Sequence, residues 1–375
     1  MTATTGAPTG PPSPAQPLFI LAMDHRDSFG RTLFGVKGEP TGEQLTAMRD
    51  AKSLIFAAAR RLAGTDLGGG RLGVLVDEQL GADVAREARQ AGFTLAMPVE
   101  ASGADRFTFE YGDDFAAHVE AFNPDWIKVL VRFNPADPAE LRQAQTQTLR
   151  QLSDWAAASR RHWLLELLVP PTREQLTAHD DQALYDERQR PELTVEVITS
   201  LTGSGVHPRI WTLEGYETTA GAQLVLDAVR ECDPAASCIV LGRNAPQRQV
   251  DHWLDVAAPL QGFAGFAIGR SIWDEPIADH LAGRADADTT QARIAERYGH
   301  FIHRYLQADV TPGEDAGLEQ PFTFTHPRLT PDREAAIRKA VAGADPRGSR
   351  VPAWMVQSLL AEVDALRADE SDDSA

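Results

Sequence analysis

Eight short apolar runs punctuate the chain, and each ends abruptly in a charged residue or a glycine. They are Phe19–Asp24, Leu72–Asp77, Phe93–Pro98 (leading to Glu100), Trp126–Arg132, Trp163–Glu166, Ile210–Glu214, Cys238–Arg243 and Phe263–Arg270. Apolar runs of this length, bounded by turn signals, read as buried strands. Stretches with apolar positions three and four apart separate them. The clearest helix starts behind Thr41, a capping residue, and runs through Phe56. Others are expected over 82–91, 137–160, 191–203, 220–232, 245–257 and 288–308. The 137–160 helix carries Leu141, Leu149, Leu152 and Trp155 in register, and Gly203 and Asp233 stop two of the later ones. Strand and helix alternating eight times predict an α/β protein, a (β/α)8 TIM barrel over residues 17–308. The active site of such a barrel lies at the C-terminal strand ends, where the charges fall.

The flanks read differently. Residues 1–16 are rich in Thr, Gly and Pro and are expected to be a disordered leader. They lack the basic residues and apolar core of a signal peptide. From 309 the composition shifts to a loop-like stretch, then a helix capped by Thr330 with Pro331 at its first position. A second amphipathic helix over 352–368 carries Trp354, Leu359, Leu360, Val363 and Leu366, and an acidic tail follows. Residues 309–375 are therefore expected to form a C-terminal helical extension, which either covers the barrel or meets another subunit.

Composition narrows the partners. A net charge of −18 disfavours nucleic acid and anionic membranes. No apolar run is long enough to span a bilayer. Cys232 and Cys238 read as cytoplasmic thiols, not a disulfide. The expected partners are a small-molecule substrate and further copies of the chain. The four lysines are Lys37, Lys52, Lys128 and Lys339.

The strand ends carry the chemistry. Asp24, with His25 and Arg26 beside it, is placed to bind a substrate hydroxyl or move a proton, or to bridge the mouth as an ion pair. Asp77, Glu78, Glu100, Glu166 and Glu214 would repel one another if all were ionised. Arg26, Lys128, Arg132, Arg243 and Arg270 can compensate them, as can a divalent metal; several acids could equally be structural partners of these arginines. No cofactor is otherwise implied. Gly242-Arg243 and Gly269-Arg270 end the last two strands, where barrels often hold phosphate. Glycine allows close approach and arginine offers a bidentate fork; the alternative is pairing with nearby acids. Alternation along strand four sets Lys128, Leu130 and Arg132 against Ile127, Val129 and Val131. Lys128 then points into the barrel with Glu166, as a nucleophile with a shifted pKa or as half of an ion pair that positions substrate.

Taken together, Ile20-Leu-Ala-Met-Asp-His-Arg26, Gly73-Val-Leu-Val-Asp-Glu-Gln-Leu-Gly81, Ala96-Met-Pro-Val-Glu100, Ile127–Arg132, Glu166-Leu-Leu-Val-Pro170, Ile239–Arg243 and Ile268–Trp273 resemble one family. It is the aldolase-like domain associated with 5-dehydro-2-deoxygluconokinase of myo-inositol catabolism. That domain is related to the class I tagatose-1,6-bisphosphate and sulfofructosephosphate aldolases. The resemblance covers residues 17–308. It implies a strand-five acid/base at Glu166, an assisting Lys128, a sugar-binding Asp24, and phosphate held by Gly242, Arg243, Gly269 and Arg270. The family's imine-forming strand-six lysine falls on Thr212, and a lysine usual after the strand-three Glu falls on Ala101. Three readings follow: an imine on Lys128, an enediolate stabilised by a metal or the arginines with Glu166 moving protons, or a barrel turned to other use. The last would be a biosynthetic isomerase or epimerase, or a non-catalytic sugar-phosphate binder. The expected function is thus carbon–carbon lyase or enediolate chemistry on a small phosphorylated or carboxylated keto compound. Lys128, Glu166, Asp24 and Arg26 are the catalytic candidates. His25, Asp77, Glu78, Glu100, Arg132, Thr212 and Glu214 are expected to bind substrate.

Overall fold

The structure, a computed structural model, describes residues 10–179 and 182–307. The expectations for 309–375 and for residues 1–9 lie outside the described residues. The chain opens with β1 (Leu18–Ala22), α1 (Asp27–Leu33), α2 (Gly42–Arg60), β2 (Arg71–Leu75), α3 (Glu78–Gln90) and β3 (Thr94–Pro98). It continues through α4 (Phe115–Phe122), β4 (Trp126–Arg132), α5 (Ala139–Ala158) and β5 (Trp163–Leu168). Three helices follow, α6 (Arg173–His179), α7 (Gln182–Arg188) and α8 (Arg190–Gly203), before β6 (Ile210–Glu214) and α9 (Thr219–Cys232). The last elements are β7 (Ser237–Leu241), α10 (Gln247–Ala257), β8 (Phe263–Ile268), α11 (Arg270–Leu281) and α12 (Ala287–Gln307). All eight strands pair in parallel in chain order, and β1 closes on β8 to complete the barrel.

Alternation along each strand builds two apolar layers. Outward residues such as Ile127, Val129, Val131, Leu165 and Leu213 join the core between sheet and helices. Inward residues, among them Leu18, Ile20, Leu75, Trp126, Leu164, Ile210 and Ile239, fill the barrel itself. Burying each such side chain contributes about 1.5–3 kcal/mol. Two residues further along the same inward faces, the chemistry changes: Lys128 follows Trp126, Glu166 follows Leu164 and Thr212 follows Ile210. The barrel is therefore apolar below and charged at its C-terminal end.

Side-chain caps set the starts of α2, α3 and α9. Thr41 caps α2 in a reciprocal box with Gln44, its hydroxyl accepting from the Gln44 amide while Gln44 Oε1 accepts from the Thr41 amide. Helix α3 starts at Glu78 and not at 82, because the Asp77 carboxylate accepts the Leu80 amide and nucleates the turn earlier. The short helices α1, α4, α6 and α7, and α11 behind Gly269, have no counterpart in the apolar periodicity. Residues 10–16, expected to lack structure, instead lie against the N-terminal strand ends. Arg71 Nη2 donates to Gly10 O at 3.0 Å and Ser237 Oγ to Pro12 O at 2.9 Å. Among the described residues no helix is long and apolar enough to cross a membrane.

Barrel closure leans on one glycine. The β7–β8 register shifts between Cys238 and Val240, opposite Gly265, whose φ is +123°. A Cβ at 265 would stand 2.0 Å from the Leu18 carbonyl oxygen. Gly265→Ala is expected to destabilise the fold by at least about 1–3 kcal/mol, from backbone strain alone. An unchanged melting temperature would contradict this account of closure.

Candidate active site

The C-terminal strand ends open on a cavity of about 590 Å³. At its base β4 delivers the Lys128 ammonium, 2 % exposed, to three carboxylates from three different segments. Nζ lies 2.8 Å from Asp24 Oδ2, 2.6 Å from Glu100 Oε1 and 3.2 Å from Glu166 Oε2. Burial opposes every one of these charges, and the balance then differs by residue. Against burial, the three acids hold Lys128 well above the usual lysine range. Against burial, Lys128, His25 and Arg26 bring Asp24 down to about 2. Burial, with Asp24 adding repulsion, wins at Glu100 and Glu166 and raises both.

Other mouth residues are braced by partners. Arg26 donates through Nη1 to Glu110 at 2.9 Å and through Nη2 to the Glu100 carbonyl at 2.8 Å. This ties the loop after β3 to β1, so the expected catalytic arginine serves here as a brace. His25 stands edge-on to Trp273, and its Nδ1 is 4.0 Å from Asp24 Oδ1. Burial pushes it down to about 4, leaving the ring neutral at neutral pH.

The two Gly-Arg pairs, expected to act alike, part company. Arg243 and Asn244 both have left-handed backbone, φ 50° and 60°. Arg243 is held by Asp186 at 2.9 Å and Glu214 at 3.0 Å. Asp186 also pairs with the buried Arg190, and Glu214 Oε2 accepts the Val169 amide at 2.8 Å. Arg243 and Glu214 thus line the cavity already engaged with protein partners. Arg270, by contrast, makes no ion pair within 4.0 Å among the described residues, and burial holds its pKa below the ordinary value. It is the first residue of α11, beside Gly269, where a Cβ would stand 2.5 Å from the Ala22 carbonyl. Gly242 lines the cavity next to Ile268, and Arg132 is exposed at the rim.

Three expected site residues lie outside the cavity lining. Asp77 turns away to the buried ammonium of Lys52 on α2 and caps α3. Glu78 faces outward to His118 Nδ1 at 2.8 Å. Thr212 is fully buried below the cavity, in register with Glu166 and Ile239, and its hydroxyl has no partner. Strand-end position alone does not separate these from true mouth residues.

The donor set does not fit a metal. Among the described residues no group of three or more His, Cys, Asp or Glu side chains is arranged to hold one. Asp24, Glu100 and Glu166 converge instead on an ammonium. Sequence reasoning missed Glu110, Asp186, Lys52 and the rim arginines Arg31 and Arg106. Asp186 and Arg190, four apart, are an ion-pair spacing readable only once a helix is drawn there. Nothing in the loop pattern marks Arg31, Arg106 or Glu110.

Asp77→Ala is expected to strand Lys52 as an unpaired buried cation and to cost about 3–5 kcal/mol in chemical unfolding. A cost below about 1 kcal/mol would return Asp77 to the list of candidates for ligand binding.

Comparison with known proteins places this geometry. No curated protein matches the chain by sequence. Among solved structures, fructose-bisphosphate aldolase from Plasmodium falciparum, in a ternary complex with TRAP and a small-molecule inhibitor, shares the fold. It is 13% identical at a TM-score of 0.53, over 78% of this chain and 91% of that one. Cgl0159 from Corynebacterium glutamicum is 17% identical at a TM-score of 0.48, over 76% and 85% of the two chains. A family model described as an uncharacterized protein conserved in bacteria (DUF2090) matches residues 8–309, and the chain belongs to that family.

Proposed function

We propose that this barrel is an enzyme that forms and protonates an enediolate on a small keto compound bearing phosphate or carboxylate. The chemistry is carbon–carbon cleavage or proton transfer, without an imine. The observation that carries this is the Lys128 ammonium fixed among Asp24, Glu100 and Glu166 at the base of the cavity. An ammonium has three N–H donors. Asp24 and Glu100 take two at short range, and the contact to Glu166 is the longest of the three at 3.2 Å. The third donor is therefore the one a substrate oxygen can claim, and a fixed positive charge there stabilises a developing oxyanion. Glu166, released from that contact, is placed to take and return the proton on the adjacent carbon.

Charge supports an anionic substrate. The acidic side chains lining the cavity are Asp24, Asp27, Glu100, Asp105, Glu166 and Glu214, and the basic ones Arg26, Arg31, Arg106, Lys128, Arg132, Arg243 and Arg270. Six acids against seven bases is a formal +1, in a chain whose net charge is −18. Such a mouth draws an anion out of an otherwise repelling field. Arg270, unpaired at the start of a twelve-residue helix, is the natural end point for that group. The resemblance to the aldolase-like domain of myo-inositol catabolism and the shared fold with an aldolase point to the same substrate class.

The competing route, an imine on Lys128, needs a neutral amine where three acids favour the ammonium. Incubation with dihydroxyacetone phosphate or pyruvate and borohydride, followed by mass spectrometry, is expected to leave Lys128 unmodified; an adduct there overturns the ionic route. In D2O, deuterium is expected to enter dihydroxyacetone phosphate beside the carbonyl. Lys128→Met and Glu166→Gln should each slow this exchange by about 10²–10⁴-fold. Absence of exchange and cleavage with phosphorylated and carboxylated ketones alike would sink the functional reading.

A further inference from the structure

We propose that Glu100 holds a proton in the resting site and acts as a positioning residue: kept neutral, it leaves Glu166 as the ionised base. This deepens the functional reading above and rests on it. The argument is one of charge and of one bare oxygen. Three carboxylates and one ammonium, all at most 9 % exposed, carry a formal −2 if every acid is ionised. The neighbouring cations leave that excess on Asp24 and Glu100: Arg270 acts on Glu166 and Asp274. Arg26 is committed to Glu110 and to the Glu100 carbonyl. Lys52 is committed to Asp77, and His25 is neutral. Like charges this close do not all stay ionised, so one acid keeps its proton.

The surroundings decide which acid. Asp24 faces Lys128 and Arg26 and is the most strongly stabilised as an anion. Glu166 lines the cavity and has Arg270 as a second cation acting on it. Neither of its oxygens is both buried and unpartnered. Glu100 differs. Its Oε1 accepts from Lys128 at 2.6 Å, but its Oε2 is buried with no partner at all. An ionised carboxylate with one bare, desolvated oxygen is far costlier than the neutral acid. The groups facing Glu100 are Asp24 and Arg26 from the end of β1, Lys128 from β4 and Glu166 from β5, with Glu110 acting through Arg26. Burial and Asp24 oppose its ionisation; Lys128 and Arg26, each shared with another acid, do not restore it. With Glu100 neutral the cluster is −1, and the remaining charges divide cleanly. Asp24 anchors Lys128, and Glu166 is the anion next to substrate.

The proton is visible without substrate. Infrared spectra of the full chain at neutral pH are expected to show the C=O stretch of a buried protonated carboxylic acid. The band should vanish in Glu100→Gln and persist unshifted in Glu166→Asp, which keeps three carboxyl groups in the cluster. A band that survives Glu100→Gln, one lost or shifted in Glu166→Asp, or no band in the native protein overturns the proposal. If Glu100→Gln does not fold, the native and Glu166→Asp spectra still decide. A second readout is the pH profile of deuterium exchange into dihydroxyacetone phosphate. At alkaline pH native Glu100 ionises, and the second negative charge weakens Lys128 as an oxyanion partner. Glu100→Gln cannot ionise, so its alkaline limb is expected to move to higher pH; an unmoved limb counts against the assignment. Failure of exchange in the native protein would reject the functional reading, while the infrared band tests Glu100 independently.

Discussion

The buried ammonium of Lys128 is the constraint around which the mouth of this barrel is organised. Taking an isolated ammonium out of water costs several kcal/mol, and one carboxylate does not repay it unless the geometry is excellent. Here the compensation comes from Asp24 after β1, Glu100 after β3 and Glu166 on β5, so the charge is met only when the barrel has closed. The apolar layer beneath, with Trp126, Leu164 and Ile210, excludes water from below and keeps these interactions strong. Packing and electrostatics are therefore one arrangement: the inward face that fills the barrel is the face that, two residues on, carries the charges.

The remaining charges are sorted by the same logic. Arg26 is spent on Glu110, and Arg243 on Asp186 and Glu214, each pair joining a loop or helix to a strand end. These pairs fix the walls and remove cations from solution. Arg270 stands apart because no carboxylate lies within 4.0 Å of it among the described residues, although Asp274, one turn along α11, and Glu166 act on its charge. An unpaired, partly desolvated cation beside a set of paired ones is a directional feature.

How far the sequence foretold this depends on range. The strands were legible because a barrel strand is buried on both faces and reads as an unbroken apolar run. Alternation along β4 placed Lys128 inward, since one strand's periodicity is a local property. The partners of the strand-end charges were not legible, because they are settled by contacts between distant segments. Asp77 and Glu100 end neighbouring strands with the same chemistry, yet one meets Lys52 from α2 and the other Lys128 from β4. Arg243 and Arg270 each follow a glycine, yet α7, a helix too short to leave a periodic trace, supplies Asp186 to the first alone. Residues 10–16 looked unable to pack, but their carbonyls need only accept from Arg71 and Ser237 for them to be held.

Thr212 draws these strands of reasoning together. It stands on β6 in register with Glu166 on the neighbouring strand. A lysine there would bring a second ammonium to the acids, leaving three negative charges against two positive ones. With threonine the second cation is gone, yet all three acids are still present around Lys128. A proton on one acid lowers that excess, and the partnerless oxygen of Glu100 is where it is least costly to put it. The hydroxyl of Thr212, fully buried and without a partner, costs about 1–3 kcal/mol as it stands and offers the acids nothing in return. The absence of a lysine on β6 and the presence of a neutral acid on the loop after β3 are thus two sides of one charge balance.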